Sequence, residues 1–202
     1  MTVFLLVRHA VTSHTGHKLT GWAPGVHLSD DGRAQAEAVA EQLAKAPIKA
    51  IYSSPIDRTR ETAQAVASRH RLDVQLLDGI GEVQYGTWTN RSLKSLAQTK
   101  LWVKVQRFPS AARFPQGESL REVQARAIAE LERIQARHPK QMVCVVSHAD
   151  VIKLMVAHYL GVHIDLFQRI AIGPASVSAI AINDQGPMVL SVNASAPIVV
   201  AS

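Results

Sequence analysis

The apolar positions of the chain begin as an unbroken run, Val3-Phe4-Leu5-Leu6-Val7, that stops at Arg8-His9-Ala10. A run of this length without polar alternation predicts a short strand buried on both faces, as in parallel sheets flanked by helices. Met142-Val143-Cys144-Val145-Val146 repeats the pattern and stops at Ser147-His148-Ala149-Asp150. Open α/β sheets bind ligands beyond the carboxyl ends of their strands. Two buried strands are therefore expected to deliver His9 and His148 to one edge of one sheet.

Other segments follow helical or strand periods. Residues 11–28 form a loop rich in Thr, Gly and His, containing Leu19-Thr20-Gly21-Trp22-Ala23-Pro24-Gly25, and its place after His9 makes it a wall of the pocket. Ser29 caps a helix whose Ala36, Val39, Ala40 and Leu43 share one face, and Pro47 closes it. Residues 48–52 read as a strand leaving through Ser53-Ser54-Pro55. Asp57 is expected to cap the next helix, with Ala63, Val66 and Ala67 inward. That sets Arg58 in a first turn, beside free amides and the positive end of the helix dipole. A strand over 73–77 leads to Asp78-Gly79-Ile80-Gly81, a glycine-loosened loop that can hang Glu82 over the site.

Residues 90–107 read as a weakly amphipathic helix carrying Arg91, Lys94, Lys100, Lys104 and Arg107, and Pro109, Pro115 and Gly117 break the chain after it. This is the least core-like span, and 87–117 is taken as a cap or lid that shapes substrate choice. Whether its lysines face the pocket depends on the helix phase. Ser119-Leu120-Arg121-Glu122 is a capping box opening a helix to about His138, with Leu120, Val123, Ala127, Leu131 and Ile134 on one face. Ile152, Met155, Val156 and Tyr159 mark another helix, stopped by Gly161. Segments 175–182 and 188–192 form a hairpin, and 194–202 a loose tail. With no repeat or linker, the alternation predicts a single domain over 1–202. Its expected form is a three-layer α/β/α sandwich with a mainly parallel central sheet and an antiparallel edge strand.

Composition narrows the function. With 202 residues, 47% hydrophobic and 19% charged, the chain can bury a sizeable core. No apolar run approaches the ~20 residues of a membrane helix, and the amino terminus lacks a basic leader and cleavage site. A cytoplasmic protein without membrane contact is expected. Cys144 has no partner for a disulfide and sits in an apolar strand, so it reads as an inert core residue. The net charge of +6 either favours a phosphorylated small substrate or serves solubility. Scattered basic residues and only 5% aromatics argue against nucleic acid. His14, His17 and His27 fit no zinc spacing.

Five motifs occur in order. They are Arg8-His9, Ser54-Pro55-Ile56-Asp57-Arg58-Thr59-Arg60-Glu61-Thr62-Ala63, Glu82 ahead of Tyr85-Gly86-Thr87-Trp88, Gly117-Glu118-Ser119, and Ser147-His148. From about residue 3 to about residue 156 the chain thereby resembles the histidine phosphatase superfamily, the phosphoglycerate-mutase-like proteins. The resemblance implies that fold and a phosphohistidine formed on His9. It implies that Arg8 and Arg58 hold phosphate oxygens, that His148, if protonated, stabilises the transferring group, and that Glu82 is the acid and base. The residue types suit these roles. A neutral imidazole is a nucleophile near pH 7, arginine binds phosphate bidentately, and a positioned carboxyl can move the leaving-group proton. Neither metal nor other cofactor is implied.

The sequence departs from the family at three places. Ala10 stands where glycine is usual and adds a methyl near the expected phosphate; Thr15 replaces a frequent phosphate-contacting asparagine; Ala149-Asp150 replaces a Gly-Gly or Gly-Ala. Thr15 or Thr12 can still donate a hydrogen bond. Asp150 either points away or, pointing in, repels phosphate. Arg60 is expected to pair along its helix, and Trp22, Tyr85 and Trp88 to pack. The expected function is a metal-independent phosphomonoesterase for a small phosphorylated metabolite. One alternative is a phosphoglycerate-type mutase, whose loop segment Leu19-Thr20-Gly21-Trp22 and Leu28-Ser29 resemble. The other is a non-catalytic phospho-ligand-binding protein, and the assembly is a monomer or a two-fold homodimer.

Overall fold

The computed structural model describes residues 1–195. In chain order its elements are β1 (Thr2–Arg8), β2 (Lys18–Leu19), α1 (Asp30–Leu43), β3 (Ile48–Ser53), α2 (Asp57–His70) and β4 (Val74–Leu76). They continue with β5 (Arg91–Ser92), α3 (Leu93–Leu96), α4 (Lys100–Arg107), α5 (Leu120–Arg137), β6 (Met142–Ser147), α6 (Ala149–Tyr159), β7 (Val177–Asn183) and β8 (Gly186–Ala194).

Six strands form one sheet in the order β4-β3-β6-β1-β7-β8. The four strands β4, β3, β6 and β1 are parallel, while β7 runs antiparallel to β1 and β8 to β7. The antiparallel character is therefore not confined to one edge strand: β7 is an inner strand, because the two-residue turn between β7 and β8 brings the second arm of the hairpin to the edge. The sheet remains mixed and mostly parallel.

Successive residues of β1 serve opposite faces, as strand geometry requires. Phe4 and Leu6 pack under α5 and α6 with Leu131, Ile134, Ile152 and Met155. Val3, Leu5 and Val7 pack under α1 and α2 with Val39, Leu43, Ala63 and Val66. Helices thus cover both faces, and each fully buried leucine or phenylalanine contributes about 2 kcal/mol. Cys144 lies in this core, where burial pushes its thiol up to about 12. The β1–β6 register pairs Arg8 with Ser147. The next residues, His9 and His148, therefore leave adjacent strands at one level.

The caps at Ser29 and Ser119 form as expected, the second as a full capping box. Asp57 does not cap α2: Ile56 is the N-cap, and the Asp57 carboxylate instead accepts the Gly25 amide at 3.0 Å. A distant loop outcompetes the local role. The helix expected over 90–107 is divided into β5, α3 and α4, because Ser92 and Thr99 each cap a new start. β5 pairs with β2, tying this span to the loop after His9. Trp88, Leu96, Val105 and Phe114 are core residues, so the span is better anchored than its charge suggests. Strand β8 runs to Ala194, into the expected tail; residues 196–202 lie outside the described residues. No helix among the described residues is long and apolar enough to cross a membrane.

Candidate active site

Four elements converge beyond the carboxyl edge of the sheet. β1 ends in Arg8 and is followed by His9, β6 is followed by His148, α2 begins with Arg58 in its first turn, and the 78–82 loop carries Glu82. The two imidazoles meet edge to face with centroids 5.3 Å apart. Arg58 bridges them: its Nε donates to His9 Nε2 at 3.2 Å and its Nη2 to His148 Nδ1 at 3.2 Å. A third contact, Nη2 to the Gly21 carbonyl at 3.0 Å, ties the arginine to the wall loop. Glu82 Oε2 lies 3.6 Å from His148 Nδ1 and 3.8 Å from Arg58 Nη2.

These contacts assign the protons. Arginine only donates, so His9 Nε2 and His148 Nδ1 must both be acceptors. His9 Nδ1 then carries the hydrogen and donates to the Ala10 carbonyl at 2.7 Å. His148 Nε2 likewise donates to Ser54 Oγ at 2.9 Å. Electrostatics agree. Burial first, then Arg58, holds both histidines well below the usual imidazole value, so both are neutral. His148 is thus a neutral donor and acceptor here, not the imidazolium of the conditional expectation.

Glu82 moves the other way. Burial pushes its carboxyl up to about 7, outweighing the pull of Arg58, and the negative charge of Asp150 adds to the rise. A neutral imidazole lone pair and a carboxyl able to hold its proton near neutral pH therefore share one buried cluster. Two donors beside them, Arg8 Nε and Arg58 Nη1, are buried and have no hydrogen-bond partner among the described residues. Unsatisfied buried donors are costly, and an anion with several acceptor oxygens answers that need. The other end of Arg8 is fixed, Nη1 donating to the Ile172 carbonyl at 2.7 Å.

The cluster opens into a cavity of about 620 Å³, walled in part by Thr12, Thr15, Lys18 and Leu19 from the loop after His9. Thr15 lines this wall, with its Oγ1 accepting the Thr12 amide at 2.9 Å. Lys94, Lys100 and Lys104 are exposed and do not line the cavity; the lysines that do are Lys18 and Lys153. Asp150 points in, 3.3 Å from Lys153, and Tyr85 lines the cavity beside it. Ala10 resolves simply: its methyl packs with Leu28 and Ala36 in a small apolar cluster, away from the cavity. Its amide donates to Thr62 Oγ1 at 3.1 Å. A shallower groove of about 710 Å³ along α1 and α2 has no such convergence, and its His27 is paired with Glu61. Among the described residues no group of three His, Cys, Asp or Glu side chains is placed to hold a metal ion.

Trp22 and Trp88 pack, the former donating its indole N–H to the Glu82 carbonyl and the latter lying against Phe114. Tyr85 both packs against Phe114 and faces the cavity. Arg60 pairs with Asp57 at 3.8 Å within α2. Sequence patterning gives no reason to single out Lys18, Lys153 or Arg126, which look like ordinary solvated charges.

Residues 4–195 match the model of the histidine phosphatase superfamily (branch 1). The chain is 31% identical over 198 residues to phosphoserine phosphatase 1 of Hydrogenobacter thermophilus, spanning 96% of this chain and 92% of the relative. It is 30% identical over 179 residues to a probable phosphoglycerate mutase GpmB of Proteus mirabilis, spanning 87% and 82%. Among solved structures, Bacillus stearothermophilus YhfR shares the fold with a TM-score of 0.89 at 24% identity over 95% and 96% of the two chains. A phosphoserine phosphatase of Entamoeba histolytica in complex with 3-phosphoglyceric acid gives 0.85 at 26% identity over 96% and 98%.

Proposed function

The chain belongs to the histidine phosphatase superfamily (branch 1), phosphoryl-transfer enzymes, and on that premise we propose that it is a metal-independent phosphomonoesterase working through a phosphohistidine on His9. Its substrate is a small phosphorylated metabolite. The observation that carries this reading is the pairing, in one buried cluster, of a neutral His9 with a Glu82 carboxyl raised to about 7.

The reaction uses each group once per half-cycle. The His9 Nε2 lone pair attacks phosphorus while the bond to the leaving oxygen breaks, and Glu82 delivers its proton to that oxygen. Arg8 and Arg58 hold the non-bridging oxygens through donors that have no partner among the described residues. His148, which follows β6, accepts from Arg58 Nη2 through its Nδ1 and so orients the guanidinium that holds the phosphoryl group. Glu82, now a carboxylate, takes a proton from water as the water oxygen attacks phosphorus. The P–N bond breaks, inorganic phosphate leaves, and His9 and Glu82 return to their starting states.

The test is release of inorganic phosphate in EDTA from a panel of phosphomonoesters. O-phosphoserine and 3-phosphoglycerate head the panel because relatives are named for, or solved with, such acids. Phosphate release that is lost in His9→Ala, with acid-labile phosphate trapped on the native protein, is the expected result. Exchange between phosphoglycerate isomers without phosphate release would make the protein a mutase. Phosphate binding without either activity would make it a binding protein.

A further inference from the structure

We infer that Arg126 is a positioning residue for the proton donor, acting through the backbone that carries Glu82; this rests on the reading of Glu82 as the acid. The Glu82 side chain has few anchors of its own. Oε1 accepts the adjacent Val83 amide at 3.0 Å, and Oε2 stands 3.6 and 3.8 Å from His148 and Arg58. Its location therefore depends on its main chain, which lies in an irregular loop.

Arg126 reaches from α5 beneath that loop. Nη1 donates to the carbonyls of Gly79 at 2.8 Å and Gly81 at 2.9 Å, and Nη2 to that of Glu82 at 2.9 Å. On its other side Nε and Nη2 meet the Glu118 carboxylate at 2.8 and 3.0 Å. Glu118 Oε2 in turn accepts the Gln84 amide at 2.9 Å. The Ile80 carbonyl is held separately by Ser147 Oγ at 2.7 Å. Every carbonyl from 79 to 82 is thus occupied, three of them by one guanidinium.

A planar fork with five donors can do this, and a lysine point charge cannot. The pair also accounts for the Gly117-Glu118 motif, which the Ser119 cap leaves unexplained. Gly117 approaches so closely that a Cβ there would lie 2.1 Å from the Gln84 carbonyl oxygen. Glu118 and Arg126 thereby fix both ends of the segment that aims Glu82. A shift of about 1 Å in a reacting group can cost on the order of a hundredfold in rate.

The experiment compares an alkyl phosphate, whose leaving oxygen needs a proton, with p-nitrophenyl phosphate, whose leaving group does not. Arg126→Lys is expected to slow the alkyl ester about a hundredfold and the aryl ester less than about threefold. Placed on Glu82→Gln, the same substitution should add less than about threefold on either ester, because the acid it positions is gone. Equal slowing of both esters, or an undiminished effect on Glu82→Gln, overturns the inference and leaves Arg126 as a fold-holding residue. If Glu82→Gln alone shows no leaving-group dependence, the acid assignment itself fails, and that is read without any Arg126 variant. Circular dichroism monitors the fold; should Arg126→Lys unfold, the neutral pair Glu118→Gln/Arg126→Gln carries the same comparison.

Discussion

At the first turn of α5 a glutamate is held far below its usual range, and beyond the carboxyl edge of the sheet another is held well above it. Glu122 is drawn down to about 2 by the Ser119 amide, then by Arg113 and the Ser119 hydroxyl, in a setting open to solvent. Among the described residues the Glu82 carboxyl has only its own neighbour's amide at hydrogen-bond distance, is 12% exposed, and rises to about 7. The groups are chemically identical. What differs is whether donors or water meet the oxygens, because a buried charge without close partners costs more than the distant attraction of Arg58 returns. One carboxylate serves helix stability, and in the proposed reaction the other keeps a proton for transfer.

The largest effect expected from breaking the catalytic side is in His9→Ala. Removing the proposed nucleophile should lower turnover by at least about a thousandfold and abolish phosphoenzyme formation with an unchanged circular dichroism spectrum. Glu82→Gln comes next, about a hundredfold or more on alkyl phosphates and little on p-nitrophenyl phosphate, read as kcat/KM for each. In the native protein the alkyl-ester rate should fall as pH rises through about 7, where Glu82 loses its proton, and Glu82→Gln should lack that limb.

Stability gives the opposite sign for the same residue. The folded Glu82 value, about 7, lies above the reference 4.5, so the native state holds this proton longer than the unfolded chain. Its contribution is neutral below pH 4 and becomes increasingly destabilising as pH rises through that interval, reaching about 3 kcal/mol above it. Glu82→Gln should therefore raise Tm at pH 8 and leave it nearly unchanged at pH 4. Glu122 behaves conversely. Its lowered value gives stability that is present above the unfolded range and lost as pH falls toward 2. The smallest effect belongs to Ser119→Ala, which removes the cap and should cost about 1 kcal/mol in denaturant unfolding with the leaving-group pattern intact.

Much of the site was legible because strand ends are legible. A buried strand reads as an apolar run, and the residue where it stops is fixed in sequence, so Arg8, His9 and His148 could be placed on one edge. Arg58 followed from its helix start and Glu82 from its glycine-flanked loop. Asp57 misled because the local capping pattern was sound but the Gly25 amide offered its carboxylate a better use. The 90–107 span misled because its charges hid two caps and the buried Leu96 and Val105. Arg126 was illegible for a different reason. A charge beside an apolar helix stripe looks solvated unless the carbonyls beneath it are known, and those belong to a loop more than forty residues earlier.

By itself the sequence determined the parallel α/β framework, the helices on both faces, and the identity and edge of the cationic and imidazole groups. Those properties follow from period, length and local capping, which act over a few neighbouring residues. Only the tertiary structure decided the protonation pattern. Arg58 reaching two imidazoles sets their tautomers, and the neutral state of both depends on burial by residues far apart in the chain. The raised Glu82 carboxyl and the arginine beneath its loop are of the same kind, because dielectric environment and hydrogen-bond geometry exist only once distant segments have packed together.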